Sequence, residues 1–240
     1  MLGRLGKLFK GSRSTNLNLN HVGITLEGAN SETNYSEKYK IPFDTLYEKK
    51  GQIINDLVKV QVQLDIPILS IFLLSNKKVQ NDFGKKVEHL NITLKNLDLD
   101  FFIKNQIKIF PIGKWYELPS EILEEIKSLI EETKDFDKFF LNLCINYDGQ
   151  RELEDVSKII ARKSYAQKIE VEEINKELIK DNLYTSYYPS PDLIIVNDTD
   201  NLQGFLTWDS AYSKISFTNK KWPEFSSQDF KRKIEKEFLC

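Results

Sequence analysis

Apolar runs of strand length alternate along this chain with longer segments in which apolar residues return every three or four positions. The short runs are HVGITL, PILSIFLLS, IKIFPIG, KFFLNLCINY, DLIIV and SKISFT. They are rich in the branched and aromatic residues that suit a pleated surface. Between them, Ile53, Ile54, Leu57, Val58 and Gln61 trace one helical face. Ile122, Leu123, Ile126, Leu129 and Ile130 trace a second, opened by LPSE, and such spacing places all of a set on one side of an α-helix. GQRELEDVSKIIARK and VEEINKELIKD predict two further helices, and SSQDFKRKIEKEFL a closing one. Strands alternating with helices predict an α/β fold: a single domain with a mostly parallel sheet of about six strands flanked by helices. Without a repeat, a low-complexity tract or a linker, residues 20–240 read as one domain.

Residues 1–19 stand apart. Leu2, Leu5, Leu8 and Phe9 lie near helical spacing with Arg4, Lys7, Lys10 and Arg13 between them and no acid. This basic amphipathic segment suits an anionic membrane surface or a partner, and a frayed basic tail is the alternative. No run reaches the roughly 18 to 20 apolar residues of a membrane span. The expected location is therefore cytoplasmic, peripheral at a membrane surface, and at the endoplasmic reticulum if the source is eukaryotic.

Composition narrows the function classes. With 34 basic and 36 acidic residues the net charge is −2, which offers no electrostatic case for a nucleic-acid binder with its basic stripe. Cys144 lies within an apolar run and Cys240 is the last residue, so a disulfide framework is not expected and a reducing compartment is. The two histidines, His21 and His89, cannot support a multi-histidine metal site. There is no phosphate-binding glycine loop, no nucleophile elbow and no Cys/His metal spacing. His21, at the start of a strand, reads first as a structural histidine. Phe72, Leu73, Leu74, Leu141, Leu143 and Ile145 read first as core, because buried parallel strands are apolar on both faces.

Longer strings carry more information than these short motifs. HVGITLEGAN, LSIFLLSN, IKIFPIGKWYELP, LNLCINYDGQREL, LYTSYYPSPDLII, GFLTWDSAYSKISF and WPEF follow one another from about residue 20 to about residue 230. In order and spacing the chain resembles the cis-prenyltransferases, the undecaprenyl and dehydrodolichyl diphosphate synthases. The resemblance implies their fold. It also implies the condensation of isopentenyl diphosphate onto an allylic diphosphate, with Mg²⁺, arginines on the diphosphates and an apolar tunnel for the product.

The positions that carry that chemistry are degenerate here. Active members have an Asp-Gly-Asn-Gly-Arg loop after the first strand, where this chain has Glu27, Gly28, Ala29, Asn30 and Ser31. Glu27 keeps a carboxylate on a longer arm, and a displacement of about 1 Å can cost roughly 100-fold in rate. A serine at 31 cannot replace a bidentate guanidinium. Lys40 and Asp44 stand where active members have Arg and His. Ser75-Asn76-Lys77-Lys78-Val79 retains only the serine of a second signature. From Ile195 to Gln203 the chain reads IVNDTDNLQ, with Asp198 and Asp200 in place of arginines, and Lys214 replaces a Mg²⁺-binding Glu.

This pattern is similar to the non-catalytic subunit, of the Nogo-B receptor type, found in heteromeric cis-prenyltransferases. It implies a pseudoenzyme subunit of a complex making long-chain, dolichol-type polyprenyl diphosphate, with no cofactor of its own and Mg²⁺ in the partner. The expected partner is a catalytic cis-prenyltransferase homologue in a heterodimer or higher assembly, with a homodimer as alternative and a prenyl lipid as a further ligand. The alternatives for function are a divergent self-sufficient cis-prenyltransferase, with Glu27 on the metal, and a prenyl-lipid-binding or receptor-type protein. Phe72, Leu74 and Asn146 are the candidate substrate contacts. Trp222, Phe225, Arg151 and Arg162 are the candidate interface, aromatic groups with a polar rim.

Overall fold

A computed structural model describes residues 19–27, 31–76 and 83–238. Six strands form one sheet: β1 (His21–Thr25), β2 (Ile68–Ser75), β3 (Ile107–Ile112), β4 (Phe139–Tyr147), β5 (Leu193–Asn197) and β6 (Lys214–Thr218). Their order is β3-β4-β2-β1-β5-β6, and every pairing is parallel. The register sets His21 beside Ile68 and Val22 beside Leu193. All residues of β1, β2, β4 and β5 are buried, which is why these strands read as unbroken apolar runs. The edge strand β6 buries only Ser216.

Eight α-helices are described: α1 (Ser31–Tyr39), α2 (Phe43–Gln63), α3 (Phe83–Lys95), α4 (Leu99–Lys104), α5 (Ser120–Thr133), α6 (Gly149–Tyr165), α7 (Lys176–Asp181) and α8 (Ser227–Phe238). The main core gathers Ile54, Leu57 and Val58 of α2, Leu90 and Leu94 of α3, Ile126 and Leu129 of α5, Phe230 and Ile234 of α8, and Ile71 and Leu141 of the sheet. A smaller cluster holds Phe72, Ile112, Cys144, Tyr147, Val196 and Phe205. Gln61 is buried within the apolar face of α2, and its amide donates to the carbonyls of Pro67 at 3.3 Å and Phe140 at 3.1 Å. A polar residue on a core stripe thus ties the helix to the amino ends of β2 and β4.

The predicted strands all form, and the predicted single parallel α/β domain is observed. The segment VEEINKELIKD divides, contrary to expectation. Residues 171–173 make one 3₁₀ turn, and Asn175 then caps α7 by accepting from the Leu178 N–H at 2.8 Å. A side chain that satisfies a free helix-start N–H favours a new beginning over continuation. The basic segment 1–18 and Cys240 lie outside the described residues. Cys144 is buried and free, and no helix among the described residues is long and apolar enough to cross a membrane.

Candidate functional site

Parallel strands deliver their carboxyl ends to one edge of the sheet, where loops and helix starts converge. The first of these ends is β1, followed by Leu26 and Glu27. The Leu26 N–H donates to the Phe72 carbonyl at 2.9 Å, extending the ladder beyond the strand and carrying Glu27 to the end of β2. There its carboxylate is fully engaged. One oxygen accepts from the Ser75 backbone N–H, and the other from the Ser75 hydroxyl at 2.9 Å and from the Lys86 ammonium of α3 at 3.5 Å. Glu27 and Ser75 are both buried. Burial pushes the Glu27 carboxyl above the usual range, and Lys86 opposes this only in part.

A second charge cluster lies behind the first. Glu32 of α1 accepts from Lys50 of α2 at 3.1 Å and from the Trp222 indole N–H at 3.0 Å. Its other oxygen is buried without a partner. The Lys50 ammonium sits over the rings of Trp222, 4.4 Å from the centroid, and Tyr47, at 4.9 Å. Cation and aromatic faces replace the water that both charges lost.

Opposite these, Asn146, next to the last residue of β4, lies in the left-handed region, at φ +50°. Its amide donates to the Lys114 carbonyl at 2.8 Å, and its side-chain oxygen is buried without a partner. Asp148 caps α6 through the Gln150 N–H at 2.8 Å. Gly149 must be glycine, because a Cβ there would meet the Thr207 hydroxyl at 2.1 Å and the Gly204 carbonyl at 2.5 Å. Arg151 donates to the Asn76 side-chain oxygen at 3.3 Å.

The loop after β5 brings carboxylates to the same end. A cavity of about 540 Å³ is lined by Asp198, Thr199, Asp200, Phe217 and Asn219. Another of about 460 Å³ is lined by Asp148, Gln150, Asn201, Leu202, Gln203, Gly204, Thr207 and Ser210. No basic side chain lines either, so neither compensates the charge of a diphosphate.

Several expectations need correction. Phe72 does not line a tunnel: it is stacked on Phe205, with centroids 5.2 Å apart and planes 6° from parallel, and Leu74 is equally buried. Trp222 is 1% and Phe225 2% exposed, so both belong to the core of their own chain and not to a surface rim. The indole is drawn inward by Glu32 and Lys50. Arg151 sits on the strand ends and Arg162 is exposed on α6. Asp44 pairs with His89 at 3.2 Å, and Lys40 is exposed at the end of α1. Lys214 donates to the Glu237 carbonyl at 2.6 Å and lies over the Phe238 ring, which ties β6 to α8. Gly28, Asn30 and the Ser31 side chain, with Lys77 and Lys78, lie outside the described residues.

Lys50, Lys86 and Glu32 were not singled out in the sequence. The signal for Lys50 was present: Leu46, Lys50, Ile54 and Leu57 keep helical spacing, which puts a lysine on the apolar stripe. For Mg²⁺ the fit is poor. Magnesium takes free oxygen ligands, yet both Glu27 oxygens already accept from Ser75 and Lys86.

Comparison with known proteins gives a coherent result. The family model described as undecaprenyl diphosphate synthase matches residues 32–237. The tritrans,polycis-undecaprenyl-diphosphate synthase (geranylgeranyl-diphosphate specific) of Thermoplasma volcanium is 34% identical over 224 residues, covering 89% of this chain and 84% of that one. The isoprenyl transferase of Thermotoga maritima is 30% identical over 219 residues, covering 90% and 91%. Among solved structures, lavandulyl diphosphate synthase from Lavandula x intermedia superposes with a TM-score of 0.81 at 21% identity, over 92% of this chain and 96% of that one, a likeness of fold.

Proposed function

Since this chain belongs to the cis-prenyltransferase family, matched over residues 32–237, we propose that it is a non-catalytic subunit of a heteromeric cis-prenyltransferase making long-chain polyprenyl diphosphate. The observation that carries this reading is the state of Glu27, the one carboxylate retained in the first loop. It is buried and spent on Ser75 and Lys86. At the same end of the sheet, positions that hold diphosphate in the resembling enzymes carry Asp198 and Asp200 instead of arginines. Losing one preorganised electrostatic contact costs roughly 3 kcal/mol in the transition state. Several lost together, even with strong non-additivity, leave little of a rate enhancement of about 10⁶-fold.

The partner on this reading is a homologue with an intact Asp-Gly-Asn-Gly-Arg loop, which supplies the Mg²⁺ chemistry. The surface that suits such a partner is the open edge of the sheet at β6. There Tyr212 is 90%, Ile215 40% and Phe217 44% exposed, so apolar groups stand exposed on an edge strand. Co-expression with an intact homologue, followed by incorporation of labelled isopentenyl diphosphate, tests the reading. The mixed pair is expected to elongate faster than the homologue alone. A homologue indifferent to this chain, in rate and in sedimentation, would refute it.

The relatives favour a second reading over this one: that the chain itself condenses isopentenyl diphosphate with an allylic diphosphate. Both curated relatives are named as synthase or transferase, and the match covers 84% and 91% of their lengths. On this reading Glu27 must exchange Ser75 and Lys86 for substrate and metal during turnover.

A further inference from the structure

A groove of about 470 Å³ opens between α6 and α7, lined chiefly by Leu153, Val156, Ile160, Ile174, Ile179 and Trp208. Val156 and Ile160 are buried, whereas Ile174 is 38% exposed and the nearby Val171 65%. Exposed apolar groups around a concave apolar surface mark a docking site. One side of the rim is acidic. Between 170 and 177 the chain carries Glu170, Glu172, Glu173 and Glu177 against Lys176 alone, and all five are exposed. The acids of α6 are matched instead, Glu154 by Lys158 and Asp155 by Lys114.

The chain holds a segment of the complementary kind. Residues 1–13, outside the described residues, set Leu2, Leu5, Leu8 and Phe9 among Arg4, Lys7, Lys10 and Arg13, with no acid. Apolar side chains at such spacing seat in an apolar groove while the charges between them meet its rim. We propose that residues 1–13 dock on this groove in cis, with the leucines and Phe9 against Ile174, Ile179 and Trp208 and the basic side chains against the glutamates of 170–177. The connection is short. The Asn20 and His21 N–H groups donate to the Asp192 carboxylate at 2.7 and 3.0 Å, so the chain enters β1 beside the stretch that runs from α7 to β5. Leu183, at the head of that stretch, belongs to the same apolar cluster as Val156 and Ile160. Residues 14–19 alone span up to about 20 Å when extended. The docking engages neither the carboxyl end of the sheet nor the exposed face of β6, so it stands or falls apart from either reading of the function.

The test is carbodiimide coupling of the full chain, which joins an ammonium and a carboxylate in contact as an amide with loss of water. Equal parts of unlabelled and isotope-labelled chain are mixed, coupled and mapped by mass spectrometry, so that links within one chain are told from links between two. Lys7 and Lys10 are expected to couple to Glu170, Glu172, Glu173 or Glu177 of the same chain. Leu5→Gln with Leu8→Gln keeps the charge and should cut that yield about tenfold or more, as loss of two seated leucines predicts. Ile174→Gln, at an exposed position of the groove, should lower it as well. Coupling that misses the four glutamates or spreads over acids across the surface would overturn the inference. So would links found only between labelled and unlabelled chains, which make a second copy the occupant, or a yield that the glutamine substitutions leave unmoved.

Discussion

His21 shows how a single residue in this chain divides between chemistry and architecture. It opens β1, at the end of the sheet opposite the candidate site. Its Nδ1–H donates to the Pro189 carbonyl at 2.7 Å, and its Nε2 accepts from the Ser70 hydroxyl at 2.7 Å. Ser70 in turn accepts from the Asn142 amide at 3.0 Å. Burial lowers the imidazole pKa from 6.5 to about 4, against the pull of the Pro189 carbonyl, Asp209 and Asp192. The folded value lies below the unfolded one, so the stabilisation is fully present above pH 6.5 and is lost as pH falls towards 4. A shift of this size corresponds to about 3 kcal/mol. Urea midpoints measured at pH 7 and pH 4.5 should therefore diverge more for wild type than for His21→Gln, and equal slopes would show that the imidazole does not carry the acid sensitivity. At this scale the sequence was only partly legible. Departure from the signatures of the resembling enzymes could be read directly from Glu27, Asp198 and Lys214. The destination of the Glu27 carboxylate could not, because Ser75 and Lys86 are distant in sequence and meet it only in the fold.

At the scale of elements, burial decides what each segment contributes. The six strands were legible because a parallel sheet covered on both faces demands continuous apolar runs, and β2 and β4 have them. The helices α1 and α4 were not, since SETNYSEKY has no apolar period and LDFFIK is barely one turn and a half. The α3 stripe of Val87, Leu90 and Leu94 was present but lay among lysines. The interface expectation misassigned Trp222 for a related reason: WPEF looks like a surface turn, and only the buried Glu32 and Lys50 explain why its indole turns inward. Two substitutions separate the core from the edge. Trp222→Ala should lower stability by about 3–5 kcal/mol, as loss of a buried aromatic does, read from the denaturant midpoint. Ile215→Asp with Phe217→Asp on β6 should leave that midpoint within about 0.5 kcal/mol per site yet weaken pairing with a catalytic homologue by roughly 30-fold in ultracentrifugation, the effect of about 2 kcal/mol. Unchanged pairing would remove β6 from the interface.

For the whole molecule, the proposed reading sets the fold apart from the chemistry. The sheet order, the helices and the match over residues 32–237 are those of a cis-prenyltransferase, while the carboxyl end of the sheet is charge-balanced from within. Glu27 answers Lys86, Glu32 answers Lys50, and the loop after β5 offers carboxylates where a diphosphate needs cations. A fold does not by itself fix a function, so activity has to be measured on this chain. The most direct test is incorporation of labelled isopentenyl diphosphate by the purified chain alone, with Mg²⁺ and an allylic primer. The account predicts no elongation above a protein-free control. Steady turnover that is abolished by Glu27→Ala would contradict it and establish the chain as a catalyst in its own right.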